Sequence, residues 1–148
     1  MNGWDRKFIA MAGLVSSWSK DPSTKVGCVI ADADHAQLSE GFNGFPRGIA
    51  DDQRLAVREM KYRLIVHAEA NAILQAARNG VRTDGCDIYT TASPCWPCFK
   101  LIANSGMKRI VFGEFYRDER IFEVAGKIGI ELVSMEGKVA PALPERVK

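Results

Sequence analysis

The 148-residue chain is 47% hydrophobic and 26% charged, long enough to bury one core without disulfide support and short for a second domain. Lysine plus arginine exceed aspartate plus glutamate by only 20 to 18, and they are scattered, which excludes the basic stripe that grips a polynucleotide but leaves room for a small anionic ligand. Four cysteines are too few for a disulfide scaffold, so the close pair in PCWPC suits metal or redox chemistry in a reducing, cytoplasmic setting.

In chain order, Trp4, Phe8, Met11, Val15 and Trp18 recur at steps of three or four and predict one face of an amphipathic helix ending near SKDPS, where Pro22 disfavours helical geometry at Asp21. Two basic residues before FIAMAGLV imitate a secretory signal, but no small-x-small cleavage site follows and the helical spacing explains more. No stretch approaches transmembrane length, so no membrane partner is expected.

KVGCVIAD at 25–32 and AQLSEGFNG at 36–44 read as a hairpin, and GFNGFPRG as a loop. Residues 49–66 are charged and partly helical in this reading, leading into the strong helix HAEANAILQAARNG, stopped by Asn79-Gly80. CDIYTT at 86–91 is a strand. Ser93 then reads as an N-cap with Pro94 at the first helical position, which places Cys95 and Cys98 in the opening turn of the next helix. KRIVFG and IELVSM are strands flanking the helix RDERIFEVAGKIG, while EGKVAPALPERVK at 136–148 has little periodicity and is expected to be a mobile tail. This order predicts one α/β domain over residues 1–148, with helices on both faces of a buried sheet.

The chemistry concentrates in two segments. His67, Cys95 and Cys98 offer one imidazole and two thiolates, donors that suit tetrahedral zinc. A closed structural site would want a fourth such ligand. Cys28 lies in the apolar run VGCVI, Cys86 opens a strand well before the pair, and His35 sits in a turn, so three ligands and an open, catalytic position is the simpler reading. Glu69, two residues after His67, is placed to exchange protons in the same cavity. Each feature alone is weak: a lone Cys-x-x-Cys can be a redox pair and a lone early-helix glutamate usually complements the dipole. Together, His-Ala-Glu followed after 24 intervening residues by Pro-Cys-Trp-Pro-Cys matches the H-x-E…P-C-x-x-C signature of zinc deaminases.

With SKDPSTKVGCVI, GFNGFPRG, HAEANAIL and SPCWPCFKLIANSGMKRIVF, the chain resembles the deoxycytidylate (dCMP) deaminases from Ser19 to about Val133. The resemblance implies a cytidine deaminase-like three-layer fold with a five-stranded mixed sheet. It also implies hydrolysis of dCMP to dUMP and ammonia, supplying precursor for dTMP synthesis. In that chemistry His67, Cys95 and Cys98 hold one Zn2+ per chain, activated water attacks C4, and Glu69 protonates N3 and then the departing amine. Asn43 resembles a sugar-contacting asparagine, although Asn-Gly can equally serve as a turn. Ser23, Thr24, Lys25 and Arg47 are candidates for nucleotide contacts, since hydroxyls and cations suit phosphate oxygens.

Many members are homo-oligomers, hexamers or dimers, activated by dCTP and inhibited by dTTP. Segment 41–48 resembles their effector stretch, making Gly41, Asn43, Gly44 and Arg47 effector candidates. Residues 49–66 hold neither cysteine nor histidine, whereas some members insert a second, structural zinc site there. Cys28 replaces an alanine common in KVGAVI. Two rivals stand beside this reading: a zinc deaminase of another base, as in tRNA adenosine or guanine, and a non-catalytic zinc-binding interaction domain.

Overall fold

The computed structural model describes residues 2–135, so the expectation of a mobile 136–148 tail lies outside the described residues. The helix α1, Gly3–Ser16, starts with a reciprocal capping box in which Asn2 and Asp5 satisfy each other's backbone amides. Its buried face is Asp5, Phe8, Ala12 and Val15 rather than the tryptophan-bearing stripe. Trp4 lies on the rim, stacked on His35 with ring centroids 4.5 Å apart. Trp18 falls beyond the helix and meets Phe42 edge-on. The helix therefore ends before the SKDPS segment.

Strands β1, Gly27–Ala31, and β2, Gln37–Phe42, form the expected antiparallel hairpin. After a 3-10 turn at Gln53–Ala56 come α2, Arg58–Leu64, and α3, Ala68–Arg78. Then β3, Asp87–Ala92, α4, Trp96–Asn104, β4, Arg109–Glu114, α5, Glu119–Ile128, and β5, Glu131–Ser134, follow in alternation. The five-stranded sheet has the order β2-β1-β3-β4-β5, with β1 antiparallel to both neighbours and β3, β4 and β5 parallel. It is the mixed three-layer α/β sheet expected.

Strand side chains alternate between faces, and the core divides accordingly. Val29, Ala31, Tyr89 and Val111 pack on α1 through Phe8, Ala12 and Val15. Cys28, Ile30, Ile88, Ile110 and Phe112 pack on the other side against Ala68, Ala72, Phe99, Ile102, Ile121 and Ala125 of α3, α4 and α5. Both faces of the central strands are covered, which is why β1 reads as a continuous apolar run. Two glycines set the layer spacing: a Cβ at Gly27 would lie 1.9 Å from the Ala12 carbonyl oxygen, and one at Gly41 would lie 2.4 Å from both the Ala68 carbonyl and the Ala72 nitrogen. Among the described residues no helix is long and apolar enough to cross a membrane.

Candidate active site

The site forms where two helices begin. His67 is the N-cap of α3 and Cys95 the N-cap of α4, with Pro97 in the first turn. The expected cap at Ser93 is displaced by two residues. Pairing with β4 holds Ser93, whose amide donates to the Glu114 carbonyl. Its hydroxyl accepts from Tyr116 N at 2.7 Å, so it is engaged before the helix starts.

His67 is fixed from the preceding strand-like segment. Val66 and Gly44 exchange backbone hydrogen bonds of 2.7 and 3.1 Å, and Asn71 Nδ2 donates to the Phe42 carbonyl at 2.8 Å. Gly41 lets the opening turn of α3 lie directly on β2. The GFNG stretch thus acts as the bed on which the His67 helix rests.

His67 Nδ1 lies 3.3 Å from Cys95 Sγ and 3.4 Å from Cys98 Sγ, and the three donor atoms lie within 4.8 Å of one another. Tetrahedral zinc with ordinary Zn–N and Zn–S bonds separates such donors by about 3.5 Å, so the residues fit that ion. The hydrogen bond from Cys98 draws the Cys95 thiol well below its usual range, helped by His67. Cys98 is pushed the other way, up, by Cys95 and by burial, so the two sulfurs share one proton. His67 is raised chiefly by its bond to Cys95. One thiolate thus forms readily beside the imidazole, the start of a soft ligand set.

Glu69 is 5% exposed, and burial raises its pKa above the ordinary carboxyl range, against its backbone and Thr90 hydrogen bonds. Thr90 Oγ1 lies 3.0 Å from Glu69 Oε1 and 2.9 Å from the Ala92 carbonyl oxygen. A hydroxyl carries one proton. Thr90 therefore donates to Glu69 when the carboxylate is ionised, and can donate to Ala92 while accepting from Glu69 when the acid is protonated. Either protonation state of Glu69 finds a partner in the same place. Cys28, fully buried on the adjacent strand, has its thiol pushed up by burial and by the Glu69 charge.

A cavity of about 230 Å³ opens on these groups, lined by His67, Glu69 and Cys95 and by Asp21, Thr24, Asn43 and Lys61. Of the sequence candidates for ligand contact, Asn43 and Thr24 reach this cavity, whereas Ser23, Lys25 and Arg47 do not line it. Lys25 Nζ instead donates to the Ser19 carbonyl at 2.6 Å, and Arg47 Nη2 to Gln75 Oε1 at 2.6 Å. Asn43 is both a wall residue and a brace. Its Oδ1 accepts from Val26 N at 2.8 Å, while Nδ2 donates to the Thr24 carbonyl at 2.8 Å and to Asp21 Oδ2 at 3.4 Å. Both amide protons are used, which leaves an Oδ1 lone pair for a ligand hydroxyl. Gly41 is buried beneath α3 and Gly44 bridges Val66, so within this chain both serve the scaffold.

Sequence reasoning missed Lys61, Tyr62, Ile65 and Thr90. Lys61 lay in a charged segment whose default reading is a solvated face, and Thr90 was distinguishable only by its inward register in β3. An uncapped His and Cys at two helix starts, with a buried acid between them, define a metal-site hydrolytic enzyme on a three-layer α/β sheet.

Comparison with known proteins agrees. Residues 2–114 match the family described as the cytidine and deoxycytidylate deaminase zinc-binding region. A protein of Aliivibrio fischeri named "Uncharacterized deaminase in luxG 3'region" is 44% identical over 115 residues, 78% of this chain and 76% of its own length. The deoxycytidylate deaminase of Pongo abelii is 35% identical over 137 residues, covering 83% of this chain and 76% of that protein. The crystal structure of dCMP deaminase from the cyanophage S-TIM5, in complex with dCMP and dUMP, superposes with a TM-score of 0.77 at 27% identity, covering 91% of this chain and 99% of that one. The chain belongs to the cytidine and deoxycytidylate deaminase family.

Proposed function

We propose that the protein hydrolyses dCMP to dUMP and ammonia with one zinc per chain. The observation that carries the reading is the convergence of His67, Cys95 and Cys98 with the buried Glu69 on one cavity, in a chain whose relatives include named deoxycytidylate deaminases. Bound by the three ligands, zinc would supply the Lewis acidity that makes water a nucleophile at neutral pH.

The remaining chemistry belongs to the protein. Glu69 takes the proton released by that water at Oε1 or Oε2 and delivers it to N3 of the cytosine; it then takes the proton of the hydroxyl added at C4 and passes it to the departing amine, leaving the C4 carbonyl of the product. Thr90 keeps the carboxyl aimed through both protonation states. Asn43 Oδ1 accepts from a sugar hydroxyl, and the low exposure of Glu69 keeps bulk water from competing for its proton.

Activation by dCTP, inhibition by dTTP and assembly into a homo-oligomer are further parts of the proposal, supported by the likeness of GFNGFPRG to an effector stretch. Arg47, exposed at the end of that stretch and bonded to Gln75 through Nη2 alone, keeps its other guanidinium donors for a triphosphate. The test is ammonia release from dCMP, dCTP, deoxycytidine, guanine and tRNA by purified protein, with bound zinc quantified in the same sample. Preferred turnover of dCMP at one zinc per chain is expected. An inert dCMP alongside a reactive tRNA adenosine overturns the substrate assignment.

A further inference from the structure

We propose that Lys61 is the specificity residue by which the site selects a nucleoside monophosphate over the bare nucleoside. The inference rests on the substrate reading above. Among the described residues, Lys61 is the only lysine or arginine lining the cavity that holds Glu69 and the metal ligands. It is 8% exposed overall, an environment lysine rarely occupies unless paired.

Its partner is Asp21, with Nζ at 3.2 Å from Oδ2 and 3.3 Å from Oδ1. That carboxylate does not depend on Lys61 alone. Asp21 Oδ1 also accepts from Ser23 N at 2.9 Å and Thr24 N at 3.2 Å, and Oδ2 from Asn43 Nδ2 at 3.4 Å. The ammonium, in contrast, has three N–H groups and gives its charged contacts to one carboxylate, so donor capacity remains for an anion in the cavity. A phosphate entering this space meets that ammonium in a cavity that Thr24 and Ser93 also line.

Four other basic groups have partners outside this cavity. Lys25 and Arg47 bond to Ser19 and Gln75 away from the cavity wall. Arg120, on a neighbouring shallow cavity, makes paired contacts to Asp118 of 2.8 and 3.0 Å, and Arg117 pairs with Glu119.

The test compares kcat/KM for dCMP and for deoxycytidine in wild-type holoenzyme, Lys61→Met and Lys61→Arg, read from progress curves so that a poor substrate is still quantified. General damage to the fold or the metal site lowers both values and cancels in their ratio. The expected result is a dCMP-over-deoxycytidine ratio reduced about 10- to 100-fold in Lys61→Met, the scale of one charge-assisted hydrogen bond. The loss should fall mainly in KM for dCMP, and Lys61→Arg should retain most of the preference. An unchanged ratio in Lys61→Met overturns the proposal and makes Lys61 a brace for Asp21. If Lys61→Met folds poorly, the Asp21→Asn, Lys61→Met pair removes both charges together and is read by the same ratio. A wild-type enzyme with no preference for dCMP would instead overturn the underlying substrate reading, a result visible before any variant is made.

Discussion

Replacing Asn43 by alanine separates bracing from substrate contact. The side chain is 6% exposed and makes two bonds of 2.8 Å that tie the 24–26 segment to the end of β2. Its loss leaves the Val26 amide and the Thr24 carbonyl without partners. A buried polar group stripped of its partner costs about 1–3 kcal/mol, so the two together predict about 2–6 kcal/mol, with water entering from the cavity favouring the lower figure. At about 2–4 °C of melting temperature per kcal/mol for a domain of this size, the shift is on the order of 5–15 °C. Asn43→Asp should do no better at neutral pH, because it keeps the acceptor for Val26 but turns a carboxylate oxygen towards the Thr24 carbonyl and the Asp21 carboxylate. Thermal melts of the two variants and wild type, each with its metal content matched, provide the measurement. If Asn43→Ala melts within about 1 °C of wild type yet loses turnover, the bracing argument is wrong and the residue acts on substrate alone.

Glu69→Gln should retain zinc and lose about two orders of magnitude or more in kcat, the usual scale for a lost acid-base group; undiminished turnover would remove Glu69 from the chemistry. Gly41→Ala should destabilise the protein and disturb the site, because the new Cβ would lie 2.4 Å from α3 backbone atoms. Gly44→Ala, whose Cβ meets nothing closer than 4.0 Å, should be nearly silent, and a reversed order in melting temperature would contradict the packing. For Asp5, burial favours the neutral acid, but Arg109 and the Asn2 amide outweigh it and lower the pKa from the usual 3.8. A folded-state pKa below the unfolded one gives stability that is present above about pH 4 and lost as pH falls through the folded value. Melts between pH 2 and pH 6 should therefore have a shallower acid slope in Asp5→Asn than in wild type.

The grouping of His67, Cys95 and Cys98 with Glu69 was legible because each segment is short and keeps its own spacing: His67 and Glu69 are two residues apart and Cys95 and Cys98 three. The layering of helices on both faces of a sheet followed from strands alternating with helices, whereas the strand order β2-β1-β3-β4-β5 is set by pairings that no local pattern marks. What could not be read depended on partners distant in sequence. Asp5 is buried on the α1 face because its partner Arg109, 104 residues away, meets it there, and nothing local marks that contact. The bulky Trp4 and Trp18 outweighed Ala12 in a periodicity count, although only the small residue fits beneath the close contact with Gly27. Ser93-Pro94 carried a valid helix-start pattern, and Pro97 satisfied it as well. The tertiary bond between Ser93 and Tyr116 selected between them. Lys61 is hidden in the same way, since only the fold places Asp21 opposite it.

The helix starts that bear His67 and the two cysteines have a mechanical consequence. At α1 the cap side chain satisfies the helix's own first amides, but His67 and Cys95 make no such bond, their side chains being turned towards each other. An N-terminal turn without its cap forgoes about 1 kcal/mol of local stability, and here two such turns meet. A zinc ion joining His67 to Cys95 and Cys98 would cross-link the two fraying ends, suppressing local opening that global melting barely registers. Metal loading should consequently be written in amide exchange at residues 68–71 and 96–99, making this pair of turns a rigidity sensor for the occupied site.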